Sequence, residues 1–239
     1  MKASIIIPAY NEEKCLGDTV QAALAQDYPD FEIIVVNNAS KDNTEAVARG
    51  FESKHPNKIK VVNENRKGLL WARECGRMNA RGDIIVNIDA DCLPEKDWLS
   101  KGLSYFKKEN VVAVSGPYDY YDGDRIFRYG SLFTQKIIYK IASVFLQLPF
   151  IKKGAVLIGG NTFIRAEVLK KAGGYDTSIV FYGEDTDTAK MVSRYGKVLF
   201  KPSLTMKTSA RRFKNEGTLN IFGKYLYHFF KTIFSKKKN

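Results

Sequence analysis

Through the first half of the 239-residue sequence, short apolar runs rich in β-branched residues alternate with stretches whose apolar residues recur at helical spacing. Ser4–Pro8, Phe31–Asn37, Ile59–Asn63 and Ile84–Ile88 read as strands, short and mostly apolar on both sides as buried strands are. Leu16–Gln26, Asn43–Lys54, Leu69–Ala80 and Lys96–Phe106 read as helices; in the first, Leu16, Val20, Ala23 and Leu24 share a face. This rhythm predicts an α/β domain with a parallel, doubly wound sheet. Open sheets of that kind bind ligands at the C-terminal ends of their strands. The residues that follow each run are therefore where function is sought.

Asp89 and Asp91 follow Ile84–Ile88 directly. Two acids one residue apart at a strand end suit a hard divalent cation, which takes oxygen ligands and often needs only one or two carboxylates beside substrate phosphates. The plainer alternative is a turn in which Asp91 caps a helix starting near Pro94. The first strand runs into Pro8-Ala9-Tyr10-Asn11-Glu12-Glu13, which offers backbone groups and an aromatic ring at the same sheet edge, or simply a loop in which Asn11 or Glu12 caps a helix. After the second strand, Asn37-Asn38-Ala39-Ser40 suits a tight turn, and Asn38 is placed to read a base edge. Neither strand is followed by a GxGxxG or a GK[ST] pattern, so dinucleotide and P-loop chemistry lose their main signal. Arg73, inside the third helix, reads by itself as a surface arginine.

The rhythm changes after Val111–Ser115. Tyr118–Asp124 reads as a polar, aromatic loop, and Ile126–Leu148 as one long helix. Gly159-Gly160-Asn161 introduces a short strand, Thr162–Arg165, and a helix, Glu167–Ala172. Gly183-Glu184-Asp185-Thr186-Asp187 precedes a helix at Thr188–Arg194, where acids either complement the helix dipole or supply a general base. Val198–Lys201 reads as a late strand. The expected organisation is one domain over 1–212 and a C-terminal segment over 213–239.

With 38 Lys and Arg against 26 Asp and Glu, the formal charge is +12, which points to an anionic partner. Paired acids at strand ends and the lack of zinc-finger or RNP-like spacing argue against nucleic acid. Cys15, Cys75 and Cys92 are scattered, which excludes a structural zinc site and suits reduced thiols in the cytoplasm. The N-terminal apolar run is too short for a signal peptide. The most apolar segment, Ile137–Ile151, contains Lys140 and Pro149 and falls short of the roughly 20 residues a spanning helix needs. From Asn220 to Asn239, seven large apolar residues interleave with lysines. That stretch either lies on an anionic membrane, joined by Ile137–Ile151 at the inner face of the cell membrane, or docks on the domain with a solvated tail.

Taken in order, SIIIPAYNEE (4–13), VVNNASKDNT (35–44), NRKGLLWAREC (65–75), GDIIVNIDAD (82–91), GGNTFIRAEVLKKAGGYD (159–176) and YGEDTDTAKMVSRYGKVLFKP (182–202) resemble the inverting, metal-dependent family two glycosyltransferases of the GT-A fold. The resemblance covers nearly the whole chain. It implies a Rossmann-like sheet, a nucleotide-diphosphate sugar donor and Mg2+ or Mn2+. By the same resemblance Pro8, Ala9, Tyr10 and Glu12 form the nucleoside pocket, Arg73 lies near the diphosphate, Asp89, Ala90 and Asp91 are the DXD motif with Asp91 the more direct ligand, Gly160 and Asn161 approach the sugar, and Asp185 with Glu184 beside it is the base. Two departures stand out. Asn37-Asn38 replace the family's Asp-Asp, the second of which reads a uracil imide; the amide of Asn38 can still accept that proton. A histidine ligand common after the late strand is missing, and Lys207–Arg212 stands there instead, with Arg211 and Arg212 suited to a leaving diphosphate. The implied acceptor is a hydroxyl on a saccharide or lipid-linked saccharide, because a phosphate acceptor needs no base. A polyprenyl-phosphate sugar synthase and a binding protein that has lost catalysis remain as alternatives.

Overall fold

The computed structural model describes residues 1–148, 151, 154–179 and 182–234. Strands β1 (Ala3–Ala9), β2 (Phe31–Asn37), β3 (Ile59–Asn63) and β4 (Ile84–Ile88) pair in parallel in the order β3-β2-β1-β4. Helices α1 (Leu16–Leu24), α2 (Thr44–Lys54) and α3 (Leu69–Asn79) connect them, and α4 (Trp98–Ser104) follows β4. Alternate residues of each strand serve opposite faces. Ile5, Ile33 and Val86 pack with Leu16, Val20, Ala48 and Leu99 on one side, and Ile6, Ile34 and Ile85 with Leu70, Ala72 and Leu169 on the other. Coverage on both sides is why β1, β2 and β4 show no polar alternation, whereas edge strand β3 exposes Lys60 between buried Ile59 and Val61.

The parallel pattern ends beyond β4. After β5 (Val111–Ser115), the chain forms β6 (Tyr118–Tyr120), α5 (Arg125–Thr134), a π-helical turn (Gln135–Tyr139) and α6 (Lys140–Leu146). None of these carries the chain back across the sheet as a crossover helix would. The next strand, β7 (Asn161–Arg165), therefore starts at the ligand-binding edge and runs antiparallel to both β4 and β5. Helices α7 (Ala166–Lys171) and α8 (Glu184–Val192) precede β8 (Lys197–Phe200), parallel to β5. The sheet is mostly parallel, with seven strands ordered β3-β2-β1-β4-β7-β5-β8.

Three sequence expectations are corrected. Tyr118–Tyr120 is not loop but a strand, paired in parallel with β9 (Met206–Thr208). The helix expected over Ile126–Leu148 is interrupted by the π-helical turn and ends at Leu146. Helix α8 starts at Glu184, so Glu184, Asp185 and Asp187 lie in its first turn rather than before it. Helices α9 (Arg211–Glu216) and α10 (Thr218–Phe234) close the described chain. Pro149 and the lysines at 236–238, part of the membrane expectation, lie outside the described residues.

Candidate active site

Strand β4 delivers Asp89 to the C-terminal edge of the sheet, and the turn before antiparallel β7 brings Gly159 and Gly160 to the same place. Helix α3 packs on one face of the sheet beside this edge. With Leu70 and Ala72 packed on the sheet, its Arg73 is turned inward and is only 3% exposed. The Arg73 guanidinium bonds Asp89 through Nη2 at 3.2 Å and Asp185 through Nη1 at 3.2 Å. One buried cation thus joins the first acid of the DXD segment to the acid at the start of α8. Burial works against the charged guanidinium, but Asp89 and Asp185 outweigh it and raise its pKa further. The surface reading of Arg73 does not hold.

Asp185 also accepts the Gly159 N–H on Oδ2 at 2.8 Å. Burial pushes its carboxyl above the ordinary carboxylate range, opposed by Arg73 and the Gly159 N–H. Its side chain keeps 31% of its surface open. Glu184 is buried, one of its oxygens has no hydrogen-bond partner, and burial and the Asp185 charge raise its pKa as well. It is less accessible than Asp185.

Asp89 Oδ2 accepts the Tyr118 hydroxyl at 2.9 Å. Tyr118 carried no signal in the sequence, because its place beside Asp89 depends on the β6–β9 pairing. Asp91 is contacted by the Thr208 hydroxyl at 3.2 Å and by Arg211 Nη2 at 3.4 Å, both long. It does not cap a helix: α4 begins at Trp98 after Asp97. Burial and the nearby Asp89 charge push the Asp91 carboxyl up to about 6. Arg211 pairs with Glu12 as well, so a guanidinium bridges Glu12 and Asp91 where a histidine was missed. Glu12 Oε2 is buried with no partner. Arg212, next in sequence, bonds Glu216 at 3.1 Å and stacks 4.9 Å from the Tyr182 ring instead of joining Arg211.

Other expected site residues are placed differently. Tyr10 is exposed at the end of β1, and Lys67 bonds its hydroxyl at 2.7 Å and lies over its ring. Pro8 and Ala9 belong to β1, and the Ala9 carbonyl accepts the Asn38 N–H at 2.8 Å. Asn38 is buried and its amide is committed to the 64–68 loop: Nδ2 donates to the carbonyls of Glu64 and Arg66, and Oδ1 accepts from Gly68 N. Only a second lone pair on Oδ1 is left for a base. Ala90 is buried, and its carbonyl accepts the Thr19 hydroxyl. Asn161 is fully buried, and its amide bonds Trp98, Pro117 and Leu204 rather than facing the cleft. Of that pair only Gly160 abuts the Asp89 carboxylate and the Tyr118 hydroxyl.

Residues 4–173 match the sequence model of the family described as Glycosyl transferase family 2. The chain belongs to that family. Among similar proteins of the family, glycosyltransferase AglE of Haloferax volcanii is 28% identical over 183 residues, 76% of this chain and 58% of its own. A Methanococcus voltae relative, named dolichyl N-acetyl-alpha-D-glucosaminyl phosphate 3-beta-D-2,3-diacetamido-2,3-dideoxy-beta-D-glucuronosyltransferase, is 32% identical over 195 residues, 78% of this chain and 54% of its own. The chain spans about half the length of the curated relatives it matches. The mannosyltransferase PcManGT from Pyrobaculum calidifontis, solved in complex with GDP-Man and Mn2+, superposes with a TM-score of 0.76 at 24% identity, covering 100% of this chain and 66% of that one. That likeness shows the GT-A fold.

In this family 2 domain the two glycines before β7 are spatial requirements. A Cβ on Gly159 would stand 2.0 Å from Asp185 Oδ1 and 2.4 Å from Arg73 Nη1; one on Gly160 would stand 2.1 Å from Asp89 Oδ2 and from the Tyr118 hydroxyl. These are ends of side chains that can swing aside, so the fold survives while the acids move. Gly159→Ala should lower turnover by about a hundredfold, the scale of a misplacement near 1 Å, with an unchanged melting temperature in a thermal scan.

Proposed function

We propose that this chain transfers a sugar from a nucleoside-diphosphate sugar to a hydroxyl acceptor with inversion at the anomeric carbon. The observation that carries the reading is the Asp89–Arg73–Asp185 bridge, which fixes the donor-side acid and the candidate base about one guanidinium. In this reading the acceptor oxygen attacks the anomeric carbon, its proton passes to Asp185, and the bond from that carbon to the diphosphate oxygen breaks. Arg73 and the Gly159 N–H hold Asp185 in position. Arg211, already between Glu12 and Asp91, lies within reach of a leaving diphosphate.

The donor set suits a divalent metal. Asp91 is poorly compensated and Glu12 has an orphaned oxygen, both carboxylates of the kind a hard divalent cation takes. No group of three or more His, Cys, Asp or Glu residues able to hold an ion occurs among the described residues, so substrate phosphates and water would complete the shell, as they do for Mg2+. Asp91, with Asp89, would hold Mg2+ or Mn2+, which supplies positive charge to the departing diphosphate.

A complete base favours a hydroxyl over a phosphate acceptor, since a phosphate is already an anion. A lipid-linked saccharide fits this and the dolichyl-linked sugar phosphate in the Methanococcus relative's name. The reading is tested by nucleoside-diphosphate release from a panel of UDP-sugars and GDP-mannose, each with Mn2+, Mg2+ or EDTA. Release from one donor, abolished by EDTA and restored by metal, is expected. Release from none of them, or release indifferent to EDTA, would overturn the donor and metal assignments.

A further inference from the structure

Two helical segments carry large apolar side chains on the outside. Along α5, the π-helical turn and α6, Ile126, Tyr129, Phe133, Ile137, Ile141 and Val144 are all exposed and recur every three or four residues. Along α10, Leu219, Phe222, Leu226, Phe230 and Phe234 do the same. Each set is a stripe down one side of a helix. With Ile126 88% and Leu219 87% exposed, this is far from the scattered single apolar residues of an ordinary surface.

The two stripes are neighbours. Leu146 of α6 and Ile233 of α10 are buried in one cluster with Val156 and Phe200, against which Tyr139 and Phe229 pack. The inner faces of the π-helical turn, α6 and the C-terminal part of α10 meet in that cluster, so their outer faces flank one side of the molecule, and α5 leads into it with Phe127 packed on Tyr120 and Phe213. The charge on these two segments is positive, with Glu216, just before α10, paired to Lys224 at 3.2 Å. No Asp or Glu occurs between Asp124 and Glu167 or after Glu216, whereas Lys136, Lys140, Lys224 and Lys231 lie on these helices.

That combination selects the occupant. A second copy would set two positive faces against each other, which like charge disfavours. An anionic bilayer accepts the apolar stripes between its headgroups and the lysines at its surface. No helix among the described residues is long and apolar enough to cross a membrane, so the geometry is that of helices lying in the interface. We propose that α5–α6 and α10 together form the surface by which this chain docks on an anionic lipid bilayer.

The surface is fastened to the site. Gln135 in the π-helical turn bonds the backbone N–H and carbonyl of Tyr118 at 2.8 and 3.1 Å, and the Tyr118 hydroxyl reaches Asp89. On the other side α10 packs on α8, where Lys190 donates to the Thr232 carbonyl at 2.9 Å, and α8 begins with Glu184 and Asp185. Docking therefore holds the cleft beside the headgroups.

Flotation of the full chain tests this, with phosphatidylcholine vesicles that contain or lack phosphatidylglycerol, at low and high salt. The chain should float with the anionic vesicles and bind at least about tenfold more weakly to phosphatidylcholine alone or at high salt. Ile141→Glu and Phe230→Glu, one on each stripe, should each weaken anionic-vesicle binding by about tenfold or more. Both positions are exposed, so melting temperature and hydrolysis of a nucleotide sugar in solution should not change. Failure to float, equal binding to both vesicle types, or variants that bind like the wild type would overturn the proposal. So would a dimer in sedimentation that these variants break while vesicle binding is unaltered. Flotation reads no chemistry: a chain that floats but turns over no donor refutes the transfer reading alone, and one that turns over donor but does not float refutes the surface alone.

Discussion

Asp185→Asn should lower turnover by about a hundredfold to ten-thousandfold, the range general-base catalysis supplies, while leaving donor affinity near that of the wild type. The amide is isosteric and its oxygen can keep the Gly159 N–H, while Arg73, which loses Asp185 Oδ1, stays anchored by Asp89. What disappears is the ability to take the acceptor proton. The pH profile follows from the same group. Burial raises the Asp185 carboxyl, so it becomes protonated at a higher pH than an ordinary carboxylate. Activity should therefore fall as pH drops through a value above the usual Asp range of about 4, and Asp185→Asn should lose the Asp185 part of that limb and keep the part set by Asp91, whose carboxyl burial raises to about 6. Steady-state rates from pH 4 to 9 would check both.

Asp91→Ala should cut kcat/KM by about a thousandfold, since several kcal/mol of charge stabilisation are at stake and each 1.4 or so counts tenfold. The loss should appear first as failure to bind donor in the presence of metal. It should not be an unfolding effect, because Arg211 keeps Glu12 as its partner and the Asp91 side chain makes only long contacts. A normal thermal transition together with lost metal-dependent donor binding is the expected pair of results. Activity that survives would move the donor site away from the DXD segment.

The donor-side acids and the candidate base stand apart in the sequence as they do in the structure. Ile84–Ile88 and the acids after it were legible because a run of β-branched residues defines its own strand end. Strands β6 and β9 were not, because each has three residues and pairs with a partner far along the chain. The direction of β7 was hidden too, since periodicity carries no sign. Arg73 looked like surface because a helix sequence does not state which side its arginine faces. Asn38 and Asn161 looked like ligand contacts, yet both hold backbone; residue type names the hydrogen bonds a group can make and not its partner. Arg211 and Arg212 were read as a pair, but consecutive helical residues point about 100° apart, and only Arg211 meets Asp91.

In the proposed mechanism the DXD acids, Asp89 and Asp91, hold the donor, and Asp185, across the Arg73 bridge from Asp89, takes the proton. Calorimetric titration of the turned-over nucleotide sugar with Mn2+ into wild type, Asp91→Ala and Asp185→Asn tests it most directly. Near-wild-type affinity for Asp185→Asn and lost binding for Asp91→Ala are expected. Lost binding in Asp185→Asn with wild-type binding in Asp91→Ala would contradict the mechanism.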